Sequence, residues 1–191
     1  MSTKRPRIKL DNLRLFDKID TGDTFYTNVS LLLHFDGPNT STNVKDFSKY
    51  AHSVVVMGTS QISTLLYKFG ASSLNTGALG NDYIYILDSE SLQLGTGDFT
   101  IEFWLYWENA VGYQTILNKG DMGTNAIMLQ SKNASTALKL YIDGIPVIEE
   151  SSGPSTHAWT HYALVRNSGI VRLYRNGAQT GSTGSNVDLN H

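Results

Sequence analysis

Asp98-Phe-Thr-Ile-Glu-Phe-Trp-Leu-Tyr-Trp107 is the stretch that decides the fold. Phe99, Ile101, Phe103, Leu105 and Trp107 fall on one face of an extended chain. Thr100, Glu102, Trp104 and Tyr106 fall on the other. A period of two held over so many residues marks a strand with one face buried. Gly95-Thr-Gly97 leads into it, and strand-like segments follow at about 114–118, 125–131 and 137–142. Leu138–Ile142 and Ile145–Ile148 flank Asp143-Gly144, and Val171–Tyr174 and Ala178–Thr180 flank Asn176-Gly177. Both dipeptides accept positive φ at low cost and predict hairpins. Trp159–Arg166 forms another strand between them.

Upstream, the pattern is shorter and less regular. The apolar run Val29–Phe35 reads as a first strand and ends at the Asp36-Gly37-Pro38 turn. Val54–Met57, Gln61–Ser63 and Tyr83–Leu87 read as further short strands, with Tyr83 and Tyr85 on a shared face. No helical period extends beyond two turns, and no internal repeat is present. The expected fold is all-β: two antiparallel sheets packed face to face as a jelly roll.

Composition agrees. The 191 residues fit a single domain, and 10 Tyr, 7 Phe and 3 Trp suit pleated surfaces. A net charge of −2 offers no global attraction for polyanions. Zero cysteines exclude disulfides and thiolate metal sites. No apolar stretch is long enough for a membrane-spanning helix, and no signal-peptide core follows the basic N-terminus. Residues 1–28 read as an extended arm, and residues 29–191 as the folded domain. Lys4, Arg5, Arg7 and Lys9 give the arm its charge. No aromatic residues interleave with them, which favours an acidic protein surface over nucleic acid as the partner.

Six ordered blocks carry a resemblance. They are Leu31–Gly37, Lys68–Leu74, Asp82–Ile84, Leu94–Trp104, Trp159–Arg166 and Arg172–Gly177. Together they resemble the laminin-G-like, concanavalin-A-like jelly-roll domains frequent in bacteriophage virion proteins. The likeness spans about residues 29–181. It implies a virion location, virion proteins as partners through the arm, homo-oligomers, and a lectin-like head able to meet host-surface glycans. Members of the family continue past the Asn-Gly hairpin into a closing strand; here either that strand is absent or the sequence is part of a longer product. The expectation is an open sheet edge that the N-terminal arm of this or a neighbouring copy fills.

Glycan hydrolysis on this fold needs two carboxylates flanking a cleft. Glu102 has no acidic neighbour along its strand face, and adjacent Glu149 and Glu150 must point to opposite faces. The five histidines and the serines form no nucleophile elbow. The expected protein is therefore not an enzyme. Trp104 and Tyr106, with Glu102 beside them, form the candidate carbohydrate platform, since aromatic rings stack on sugars and polar groups orient hydroxyls. His161 and Trp107 read as structural. Calcium is the cofactor the resemblance admits, with Asp36 and Asp46 as its candidate ligands.

Overall fold

The computed structural model describes residues 24–77, 80–121 and 124–184. Residues 1–23 of the predicted arm and the segment after Gly184 lie outside the described residues; the arm's last residues, Tyr26–Asn28, form a short 3-10 turn whose Tyr26 Oη donates to Phe47 O at 2.7 Å. The chain divides into two compact units. One holds the chain through Leu65 together with Ala71–Leu87; the other holds Leu66–Gly70 and the chain from Asp88 onward.

The first unit contains four short strands. β1 (Val54–Met57) pairs antiparallel with β4 (Tyr83–Ile86), and β2 (Gln61–Ser63) pairs antiparallel with β3 (Ser73–Asn75). Ile62 is fully buried. The Asp36-Gly37-Pro38 turn wraps over it, with Thr40 N donating to Ile62 O and Ile62 N to Ser41 O. The expected first strand at Val29–Phe35 does not form. Only one isolated bridge, Leu33 to Asp46, occurs there. The reason is local: Leu32 N donates to the Asp46 side chain at 3.0 Å, which diverts a backbone donor from any ladder.

The second unit is a β-sandwich. Its strands are β5 (Phe99–Tyr106), β6 (Thr115–Asp121), β7 (Thr124–Ser131), β8 (Leu138–Ile142), β9 (Ile145–Glu149), β10 (Trp159–Asn167), β11 (Ile170–Arg175) and β12 (Ala178–Gly184). One antiparallel sheet runs β12-β11-β10-β5 and the other runs β6-β7-β8-β9. Alternation along the strands fills the space between them. Leu129, Leu138, Leu140, Tyr162, Leu164 and Leu173 are completely buried there. Trp107 joins this core at 4% exposure, as its place on the Phe99 face requires. Burial of such side chains contributes roughly 1.5–3 kcal/mol each and is the main source of cohesion.

Turn chemistry sets the register. Asp143 and Gly144 have φ of 51° and 75°, and Asn176 and Gly177 have 49° and 82°. Double positive φ matches the twist of the flanking strands, so both predicted hairpins close in two residues. A third such turn joins β10 to β11 at Ser168-Gly169, where Ser168 N is held by Asp98 Oδ1 at 2.8 Å. Gly181 serves a different purpose. A Cβ there would stand 2.8 Å from the Glu149 carbonyl oxygen, so only glycine lets β12 approach β9 this closely.

Candidate functional site

The sheet register places Glu102, Trp104 and Tyr106 of β5 opposite Ala163, His161 and Trp159 of β10. All six point away from the sandwich core, because the intervening residues fill it. Tyr174 of β11 stands opposite Ala163 and Arg172 opposite Val165, which extends the same face by one strand. The result is an aromatic surface. Trp104 and His161 have ring centroids 5.2 Å apart, and Tyr106 and Trp159 5.4 Å apart. Trp104 keeps 38% of its surface exposed. Glu102 Oε2 lies 3.4 Å from His161 Nε2, and its carboxylate stays largely in solvent.

Two residues that the alternation did not point to complete this surface. Phe69 meets the Trp104 ring edge-on at 5.5 Å and 84°. Lys68 Nζ sits 4.5 Å from the Trp104 centroid and 5.7 Å from that of Phe69. The platform is therefore a corner of two rings holding an ammonium rather than a bare indole. The signal in the sequence was Lys68-Phe69, an aromatic residue and a cation next to a glycine. Nothing in the spacing connects that loop to a strand 35 residues later.

Glu102 is the one carboxylate at the outward positions of β5, β10 and β11. Glu150, just beyond β9, is fully buried. Its Oε2 accepts from Leu138 N at 2.8 Å and Tyr162 Oη at 3.2 Å. Its Oε1 accepts from Thr180 Oγ1 at 2.9 Å and pairs with Arg175 Nη1 at 3.0 Å. One side chain thus ties strands of both sheets together. Burial pushes the Tyr162 hydroxyl well above its usual range, and the nearby Glu150 charge adds to this. Glu149 faces outward to Lys132 and Lys139 at 2.7 and 3.0 Å.

The candidate calcium ligands do not come together as a cation site. Asp46 is buried, and its carboxylate accepts from Leu32 N, Ser48 N, Ser48 Oγ and His52 N at 2.8–3.0 Å, with His52 Nδ1 at 2.6 Å. Burial raises its pKa, but the three backbone donors and the Ser48 hydroxyl outweigh that and hold it at about 2. A carboxylate surrounded by N–H and O–H donors has no lone pairs to offer a metal. Asp36 is exposed in its turn. Among the described residues no three His, Asp or Glu side chains converge on a common point. These residues do not fit calcium. Lys4, Arg5, Arg7 and Lys9, the predicted anchoring residues, lie outside the described residues.

A second concavity, of about 330 Å³, lies on the outer face of the β6–β9 sheet, lined by Tyr113, Met128, Gln130, Tyr141 and Gly144. It is shallow and no ionisable acid or amine lines it. The Trp104 corner carries both charge signs beside exposed rings, so it is the better-equipped site.

A sequence profile of the concanavalin A-like lectin/glucanases superfamily matches residues 77–191, more than half of the chain. The chain belongs to that superfamily. A search of curated proteins found no match. No helix among the described residues is long and apolar enough to cross a membrane.

Proposed function

We propose that this chain is a non-enzymatic, lectin-like head that binds saccharide on the outer face of β5 and β10. The observation that carries this reading is the Trp104 corner: exposed aromatic rings beside Glu102, His161 and Lys68, on a rigid sheet. Sugar rings stack their C–H faces on indole while hydroxyls take hydrogen bonds from flanking polar groups. A sheet-borne platform holds that geometry without any ordering of loops at the moment of binding.

Catalysis is disfavoured by the carboxylates. Hydrolysis needs an acid and a base across one sugar. Glu102 has no acidic companion at the outward positions of its sheet, and Glu150 is enclosed and held by four donors. The particle context comes from the resemblance of the six sequence blocks. In that context the head is a structural component of a bacteriophage capsid or tail, self-associating and attached through the basic arm to other virion proteins. Symmetric assembly suits such a component. Binding of host-surface glycans is the activity that the Trp104 face would then supply.

A glycan array probed with the full chain, with and without calcium, tests the reading. Specific binding lost in Trp104→Ala and weakened in Tyr106→Ala is expected, with the same pattern in both buffers. Reducing-sugar release abolished by Glu102→Gln would overturn the non-enzymatic assignment. Deleting residues 1–28 should spare folding of the head and prevent incorporation into particles.

A further inference from the structure

We infer that the saccharide taken by the Trp104 corner is acidic, its carboxylate or sulfate received by Lys68. This inference rests on the saccharide-binding reading and names the ligand class for the same site.

The argument starts from how Lys68 is held. Its ammonium stands within reach of two ring faces, 4.5 Å from Trp104 and 5.7 Å from Phe69. The rings themselves are fixed edge-to-face at 84°. Cation–π attraction of this kind is modest at an exposed site. That is enough to bias a flexible lysine toward one position, and much of its ordering cost is met before any ligand arrives. Aromatic faces satisfy charge but accept few hydrogen bonds. Among the described residues Lys68 makes no ion pair and no hydrogen bond, so its N–H donors remain available.

The carboxylate of the face already has a partner. Glu102 lies beside His161. Glu149 and Asp88, the acids that engage lysines in this unit, are paired with Lys132, Lys139 and Lys119 instead. Lys68 is therefore a positioned cation next to exposed aromatic surface, with an anion left to be supplied. Arg172, an outward residue of β11, adds positive charge to the same face. A glycan carrying a uronate, sialate or sulfate meets all three demands: a stackable ring, hydroxyls for Glu102 and His161, and an anion for Lys68. Charge-assisted hydrogen bonds of this type are about twice as strong as neutral ones.

The test uses the full chain and its Lys68→Ala, Lys68→Arg and Trp104→Ala variants on an array of matched neutral and acidic glycans. The strongest acidic binder is then titrated by calorimetry against its carboxyl-reduced or desulfated counterpart. The expected result is a set of binders dominated by acidic glycans and lost in Trp104→Ala. Lys68→Ala should weaken them about tenfold, the effect of one charged hydrogen bond, with Lys68→Arg retaining most of the affinity. Raising salt should weaken the wild type more than Lys68→Ala. Neutral glycans bound through Trp104 with no effect of Lys68→Ala would overturn the acidic-ligand inference and leave the saccharide reading intact. Binding indifferent to Trp104 would remove both. Circular dichroism of each variant separates lost binding from lost folding.

Discussion

Glu150 and Glu102 belong to one sandwich but face opposite surroundings. Glu150 is shut inside, and its oxygens meet Leu138 N, Tyr162 Oη, Thr180 Oγ1 and Arg175 Nη1. Glu102 stands on the outer face with His161 at 3.4 Å. The inner carboxylate has all its acceptor capacity taken up by strands of both sheets, which makes it a fastening. The outer one keeps acceptor capacity open to whatever arrives from solvent. Which side of a strand an acid occupies decides between these roles, because buried polar groups must be satisfied internally and surface groups need not be.

The sharpest way to break this contrast is to remove the inner acid. Glu150→Ala takes the counter-charge from the Arg175 guanidinium, which among the described residues keeps only its bond to Ser152 O, and leaves the Tyr162 hydroxyl and Leu138 N–H without their acceptor. A loss of about 3–5 kcal/mol is expected by urea denaturation, typical of breaking a buried pair. Glu102→Ala should shift stability by less than about 0.5 kcal/mol in the same assay. Equal effects would erase the distinction.

Closure of the sandwich rim comes next. Gly181, at φ 71°, faces the Glu149 carbonyl and Ile148. Gly181→Ala should cost about 1–3 kcal/mol, from the left-handed backbone and the close approach together. Gly177→Ala tests the backbone part by itself, since nothing lies within 4 Å of that position. Its expected cost of about 1 kcal/mol is therefore smaller. Thermal melts of the two variants measure the difference.

Asp46 extends the comparison to the first unit. It is another enclosed acid, held at about 2 by its donors against an ordinary 3.8. A depressed carboxylate pKa stabilises the fold above the unfolded value and loses that contribution as pH falls toward the folded one. Roughly 2 kcal/mol should vanish between about pH 4 and pH 2. Asp46→Asn should flatten that part of the stability profile. An unchanged acid limb would show that the donors around Asp46 do not set its titration.

A small stability effect is expected where the functional effect is greatest. Trp104→Ala removes a ring that is more than one-third exposed, and should cost no more than about 1 kcal/mol while abolishing saccharide binding. A large destabilisation would instead make Trp104 part of the fold's own cohesion.

Much of the sandwich was legible in the chain. Alternation in 99–107 marked the inward and outward residues of that strand, including the burial of Trp107; 159–166 was readable as a strand, but not that Thr160 and Arg166 turn inward while Trp159 and Val165 turn outward. The Asp143-Gly144 and Asn176-Gly177 turns were readable because two-residue hairpins demand positive φ and those residues tolerate it. Val29–Phe35 misled because apolar content does not show where backbone donors go, and the Asp46 side chain captured one of them. Asp46 itself looked like a metal ligand for the same reason: a carboxylate's sequence neighbours do not disclose that N–H donors surround it.

Local pattern by itself determined the all-β class, the two faces of residues 99–107 and the place of Trp104 and Tyr106 opposite the Phe99 face. Those follow from the two-residue repeat of extended chain, which any short window displays. Only the tertiary structure brought Lys68 and Phe69 onto Trp104 and four donors onto Glu150. Such contacts join residues far apart in sequence through the packing of whole strands and loops, and no short-range rule encodes them.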